Sequence, residues 1–158
     1  MATNTPIRTK DYLSLVGQFP DNVPIVVIHM LRFNETAVYP PSSPHASLPP
    51  ISGLDCFYKR YVPAGSAAAQ EVRIAPATAR FFSASVTNLL QHNDVPWDIV
   101  TARKYASFSD YARYQASDAY QERAVPHRDA ALKDWSLVAC VEEEPPKVGE
   151  SPTLWSSR

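Results

Sequence analysis

Between Trp97 and Cys140 the hydrophobic period changes from two to helical and back, which confines this stretch to strand, helix, strand. Ile99, Thr101, Arg103 and Tyr105 alternate with Val100, Ala102 and Lys104, as a pleated strand requires. Phe108, Tyr111, Ala112 and Ala116 then recur at three- and four-residue steps. Ser107 is placed to cap that helix on the amide of Asp110, and Ser117 opens a second helical stretch through Arg123. Pro126 interrupts this stretch just before His127 and Arg128.

The rest of the chain extends the pattern. A leader helix is expected at 10–18, strands at 24–33, 79–91, 98–105 and 135–141, a helix at 52–71 disturbed by Pro63, and helices filling 108–133. That order, β-α-β-β-α-β, is the ferredoxin-like split arrangement of an α+β protein. Its helices cover one face of an antiparallel sheet and leave the other face apolar. Such a face is expected to pair with a second copy, giving a homodimeric α+β barrel around a cavity. Pro40, Pro41, Pro44, Pro49 and Pro50 exclude helix and central strand between residues 39 and 51, leaving a long loop that is either a lid or a solvated connector. One domain is expected over 1–141, followed by a flexible acidic, proline-containing tail over 142–158, where Leu154 and Trp155 are the apolar exceptions.

Several of these residues carry a family resemblance. Trp97, Tyr105, Ser107, Tyr120, His127, Arg128 and Leu132, with IVVIHMLRF at residues 25–33 and Phe57, Tyr58, Arg60 and Tyr61, resemble a family of unknown function among the small dimeric α+β-barrel (ferredoxin-like) proteins. The resemblance spans roughly residues 10–140 and includes the leader helix. That family usually has Asn where this chain has His29, and the resemblance implies that the polar side chain there points toward a pocket. The superfamily contains cofactor-free monooxygenases, isomerases, cyclases, haem enzymes and members without known activity, so the likeness implies a fold and leaves the chemistry open.

Composition narrows the function classes. A chain of 158 residues suits one core, and a net charge of -1 with no basic run argues against a nucleic-acid partner. The apolar run from Ile25 to Leu31 is far too short to span a bilayer and the N-terminus lacks a signal-peptide core, so a cytoplasmic protein with no membrane partner is expected. Cys56 and Cys140 read as reduced, structural thiols. Histidines at 29, 45, 92 and 127 have no metal-ligand spacing, and the four scattered glycines cannot form a phosphate loop. Neither a metal nor another cofactor is therefore expected.

The candidate site starts on the first strand. Ile25, Val27, His29, Leu31 and Phe33 share one face, and Val26, Ile28, Met30 and Arg32 the other. His29 is either a ligand-facing residue or a core histidine bonded to a backbone carbonyl, while Arg32 reads as a substrate contact or a surface ion-pair partner. His127 and Arg128 suit proton exchange and oxyanion binding, although neighbours on a helix diverge by about 100° and only one can face a cavity. His127 is the one favoured. His29, His127 and Arg128 are thus the catalytic candidates, and Arg32, Tyr58, Tyr61, Phe82 and Trp97 the substrate-binding ones. A mainly apolar pocket of this kind suits an aromatic or polyketide-like metabolite. The functions expected are cofactor-independent cyclisation, isomerisation or dehydration by general acid/base catalysis, with cofactor-free monooxygenation or a non-catalytic binding dimer as alternatives.

Overall fold

The structure is a computed structural model that describes residues 10–87, 89 and 96–152. Its elements are α1 (Tyr12–Leu15, continued by one 3-10 turn, Val16–Gln18), β1 (Ile25–Phe33), α2 (Gly53–Cys56), α3 (Val62–Glu71), β2 (Thr78–Ala84), β3 (Ile99–Tyr105), α4 (Phe108–Gln115), α5 (Asp118–Arg123), α6 (Val125–Ala131) and β4 (Leu132–Val141). The four strands form one antiparallel sheet in the order β2-β3-β1-β4. This is the ferredoxin-like α+β fold. No helix of the described residues is long and apolar enough to cross a membrane.

β1 sits inside the sheet because it is the most continuously apolar strand. His29 lies opposite Thr101 of β3 and Leu137 of β4. Ile25, Val27 and Leu31, almost fully buried, face the helices together with His29. The opposite face carries Ile28, Met30 and Val100, and at its margins the half-exposed Phe81 and Val138. Ion pairs bound this apolar strip: Arg32 with Asp134 at one end, and Arg80 and Lys104 sharing Glu142 at the other. Cys140 on this face and the buried Cys56 are both free thiols.

Several boundaries differ from the sequence expectation for local reasons. Between α2 and α3 the helix widens into a π turn, Phe57–Tyr61, in which Val62 N–H donates to the Phe57 carbonyl. The wide turn accommodates Pro63, whose ring cannot donate an i→i−4 bond. Residues 108–133 form three short helices, broken where Ser117 caps α5 and where Pro126 starts α6. The chain then turns to strand at Leu132, earlier than Trp135, because a bulge between Arg32 and Phe33 lets Leu132 pair with Phe33. β2 ends at Ala84, opposite the first residue of β3, and does not run to 91. Glu142, expected to begin a loose tail, is held by its two ion pairs. His92, Leu154 and Trp155 lie outside the described residues.

Capping and aromatic contacts fix the helix layer. Ser107 accepts from Asp110 N–H at 3.1 Å, and Ser52 from Asp55 N–H at 3.0 Å. α3 ends in a Schellman motif with Arg73 at φ 56°, where Ile74 N–H reaches the Ala69 carbonyl at 3.2 Å and delivers Ile74 to the core. The leader is pinned by Phe19 stacked on Phe108, ring centroids 3.8 Å apart, and by Tyr12 against Tyr111.

Candidate functional site

A cavity of about 340 Å³ lies between the helix-facing side of the sheet and the π turn with α3. Its walls come from three strands of the sheet and from the helix layer of the same chain. β1 contributes His29 and Leu31, β3 contributes Thr101, Arg103 and Tyr105, and β2 contributes Phe82. The wide turn supplies Phe57, Tyr58 and Tyr61. The rings of Tyr58 and Phe82 meet edge-on, centroids 6.2 Å apart. Gly65 of α3 leaves room for the Tyr114 hydroxyl, which lies 2.8 Å from where a Cβ would stand. A second cleft of about 370 Å³, under the leader helix, has Lys10, Tyr12 and Trp135 on its walls and no histidine.

His29 is the titratable group at the cavity's inner end. Burial, and next to it the Arg103 guanidinium, push its imidazole down to about 4, with the Val27 and Thr101 backbone opposing weakly. The ring is therefore neutral at neutral pH. Its Nδ1 is enclosed and has no hydrogen-bond partner among the described residues. Behind it a void of about 20 Å³ is bounded by Tyr120 and Arg128 among others. Tyr61 and Tyr120 share a hydrogen bond of 2.8 Å there, and burial holds the Tyr61 hydroxyl well above its usual range. Burial likewise raises Tyr58 and pushes Tyr105 up to about 12, so both remain hydrogen-bond donors.

The sequence candidates separate into three places. His29, Tyr58, Tyr61 and Phe82 come together on the cavity. Arg128, not His127, faces inward from α6: its guanidinium stacks over Trp135 at 4.4 Å and bonds Asp129 at 2.9 Å. Burial works against this cation, but Tyr120, Asp129 and Tyr61 outweigh it and raise its pKa. His127 points away from His29, toward the proline-rich loop. Its Nδ1 meets the Tyr39 hydroxyl at 2.7 Å, and that hydroxyl also contacts Cys56 Sγ and accepts from Arg60, each at 3.2 Å. Burial, then the neighbouring His45 and Arg60, lower the His127 pKa. Arg60 also donates to the Pro49 carbonyl at 2.7 Å, so the loop is clamped to the helix layer as a connector and does not line the cavity.

Arg32 and Trp97 need correcting as substrate contacts. Arg32 lies on the face opposite His29, bound to Asp134 at 3.0 Å, because alternate residues of β1 cannot share a face. Trp97 precedes β3 and lies off the cavity wall. Arg103 was missed. The signal was an arginine on the strand face that otherwise carries Ile99, Thr101 and Tyr105. Among the described residues no group of three or more His, Cys, Asp or Glu side chains could hold a metal ion.

The same architecture is found in a protein of unknown function from Rhodopseudomonas palustris, with a TM-score of 0.68, 21% identity, and coverage of 88% of this chain and 97% of that one. The likeness is one of fold. The methylated form of that protein superposes with a TM-score of 0.71 at 21% identity, over 92% of this chain and 99% of its own. A ferredoxin-like DABB family protein from Mesorhizobium loti is more distant, at 14% identity and a TM-score of 0.37, over 77% of this chain and 98% of its own. Neither a protein-family model nor a curated protein matches this chain.

Proposed function

We propose that the chain is a cofactor-independent enzyme that moves a proton on a small apolar, aromatic or polyketide-like metabolite, driving its isomerisation, cyclisation or dehydration. The observation that carries this reading is His29: a neutral imidazole on the wall of a substrate-sized cavity, held near the Val27 and Thr101 backbone, with an Nδ1 that has no hydrogen-bond partner among the described residues. A histidine retained for packing alone is normally hydrogen-bonded. His29 would take a proton from a carbon beside a carbonyl, while the Tyr58 hydroxyl donates to the carbonyl oxygen as enolate charge grows. Its low resting pKa makes it a weak base in the empty site. The anionic charge that develops beside the ring favours imidazolium, so basic strength rises along the reaction.

Incubation in deuterium oxide with a panel of aromatic β-diketones and polyketide-like ketones tests this directly. Deuterium should enter the carbon between or beside the carbonyls faster than in buffer, as read by mass spectrometry. Ligands that bind without exchange or product would favour the non-catalytic binding reading.

The open sheet face supports a homodimer in which two apolar strips cover each other. Sedimentation at micromolar concentration should therefore give twice the 17.6 kDa chain mass. A clean monomer would leave the strip uncovered and exclude the barrel.

A further inference from the structure

We infer that the cavity takes an anionic substrate, an aromatic molecule bearing a carboxylate, with the carboxylate held by Arg103 at the mouth and the apolar body extending inward. This rests on the reading of the cavity as the substrate site and narrows its ligand to one chemical class. Three observations lead to it. First, no Asp or Glu is among the described residues lining the cavity, although the chain as a whole carries 16 acidic side chains. Second, Arg103 makes no ion pair among the described residues, as Arg60 and Arg73 make none, whereas Arg32, Arg80, Arg113, Arg123 and Arg128 all do; of the three, Arg103 is the one on the cavity wall. Third, the groups its N–H donors meet among the described residues are neutral: Nη2 reaches the Ala77 carbonyl at 3.1 Å, and the guanidinium hydrogen-bonds the Tyr105 hydroxyl, which leaves donors of its five for a ligand.

An unpaired guanidinium at the rim of an apolar, aromatic-walled cavity is an anion receptor. Its planar fork matches a carboxylate with two parallel hydrogen bonds, and exclusion of water by the ligand's own ring strengthens them. Phe82 and Tyr58, beside the mouth, offer faces and edges for a planar body. Bound this way, the ligand would offset the Arg103 contribution to the lowered His29 pKa, which is second to that of burial.

The test uses 2-naphthoate and its neutral isostere 2-naphthamide as probes in calorimetric titrations of the full chain. Wild-type protein should bind the naphthoate about 10- to 100-fold more tightly, the effect of charge-assisted hydrogen bonds to one arginine. Arg103→Met should remove that preference by lowering naphthoate affinity far more than naphthamide affinity, and Arg103→Lys should restore part of it. An unchanged far-ultraviolet circular dichroism spectrum shows that the variant is folded. Equal affinities in the wild type would overturn the anion assignment and leave the cavity reading intact. Binding of neither probe would overturn both, and a naphthoate preference that survives in Arg103→Met would move the anion to another group.

Discussion

Replacing His29 with alanine should lower turnover by about 10²- to 10⁴-fold, the usual loss when a general acid/base is removed. His127→Ala should behave differently. It removes the His127 partner of the Tyr39 hydroxyl, costing about 1 to 3 kcal/mol of stability, while activity per folded molecule stays unchanged. Equal activity per folded molecule for wild type and His29→Ala would end the catalytic assignment. The pH dependence has a defined sign. The His29 pKa is about 4 in the folded protein against an ordinary 6.5, so the unfolded chain binds more protons between those values. Stability contributed by this group is therefore present above pH 6.5 and lost as pH falls through 4, amounting to roughly 3 kcal/mol. His127 pulls in the same direction. His29→Asn should flatten the acid side of the melting-temperature profile without abolishing its slope. The kcat/KM of the wild type should stay level above about pH 5 and fall only as the ring protonates.

Gly53→Ala should destabilise the chain by about 3 kcal/mol, the largest effect expected of a methyl group added at any of its four glycines. A Cβ at this position would collide with the carbonyl oxygens of Asn34 and Ala131 and come within 2.8 Å of the Asn34 nitrogen. All three are backbone atoms, and they belong to the junction where Gly53 N–H bonds the Asn34 carbonyl and Asn34 N–H bonds Ala131. None can swing aside as a side-chain terminus could. Gly17→Ala is the control, since nothing lies within 4 Å of its Cβ position. Chemical denaturation should show a lowered midpoint for the first variant and little change for the second.

The strands were legible because their physics is local. β1 and β3 announce their faces by alternation, so the separation of His29 from Arg32 follows from the pleat alone. The caps at Ser107 and Ser117 were equally readable, since each needs only its own next few residues. What α6 presents to the core was not. His127 and Arg128 are both polar and adjacent, and the choice between them is made by distant residues: Trp135 offers Arg128 an aromatic face, and Tyr39 offers His127 a hydroxyl. Arg103 was hidden for a related reason. An arginine in an alternating strand resembles a solvent-facing residue until the helix layer is laid over its face. The π turn depends on how the chain resolves a proline between two helices, which the position of Pro63 signals without specifying.

The sheet order has a dynamic consequence for the cavity. β1 is hydrogen-bonded along both edges, whereas β2 is the outer strand, paired on one side only and exposed along its length. Amide hydrogen exchange should accordingly be slowest around His29 and fast around Phe82. Within the sheet wall of the cavity, His29 thus stands on an inner strand and Phe82 on the edge expected to fray first. Ligand residence would then be governed by the edge strand's local unfolding rate, with the reactive ring held still throughout.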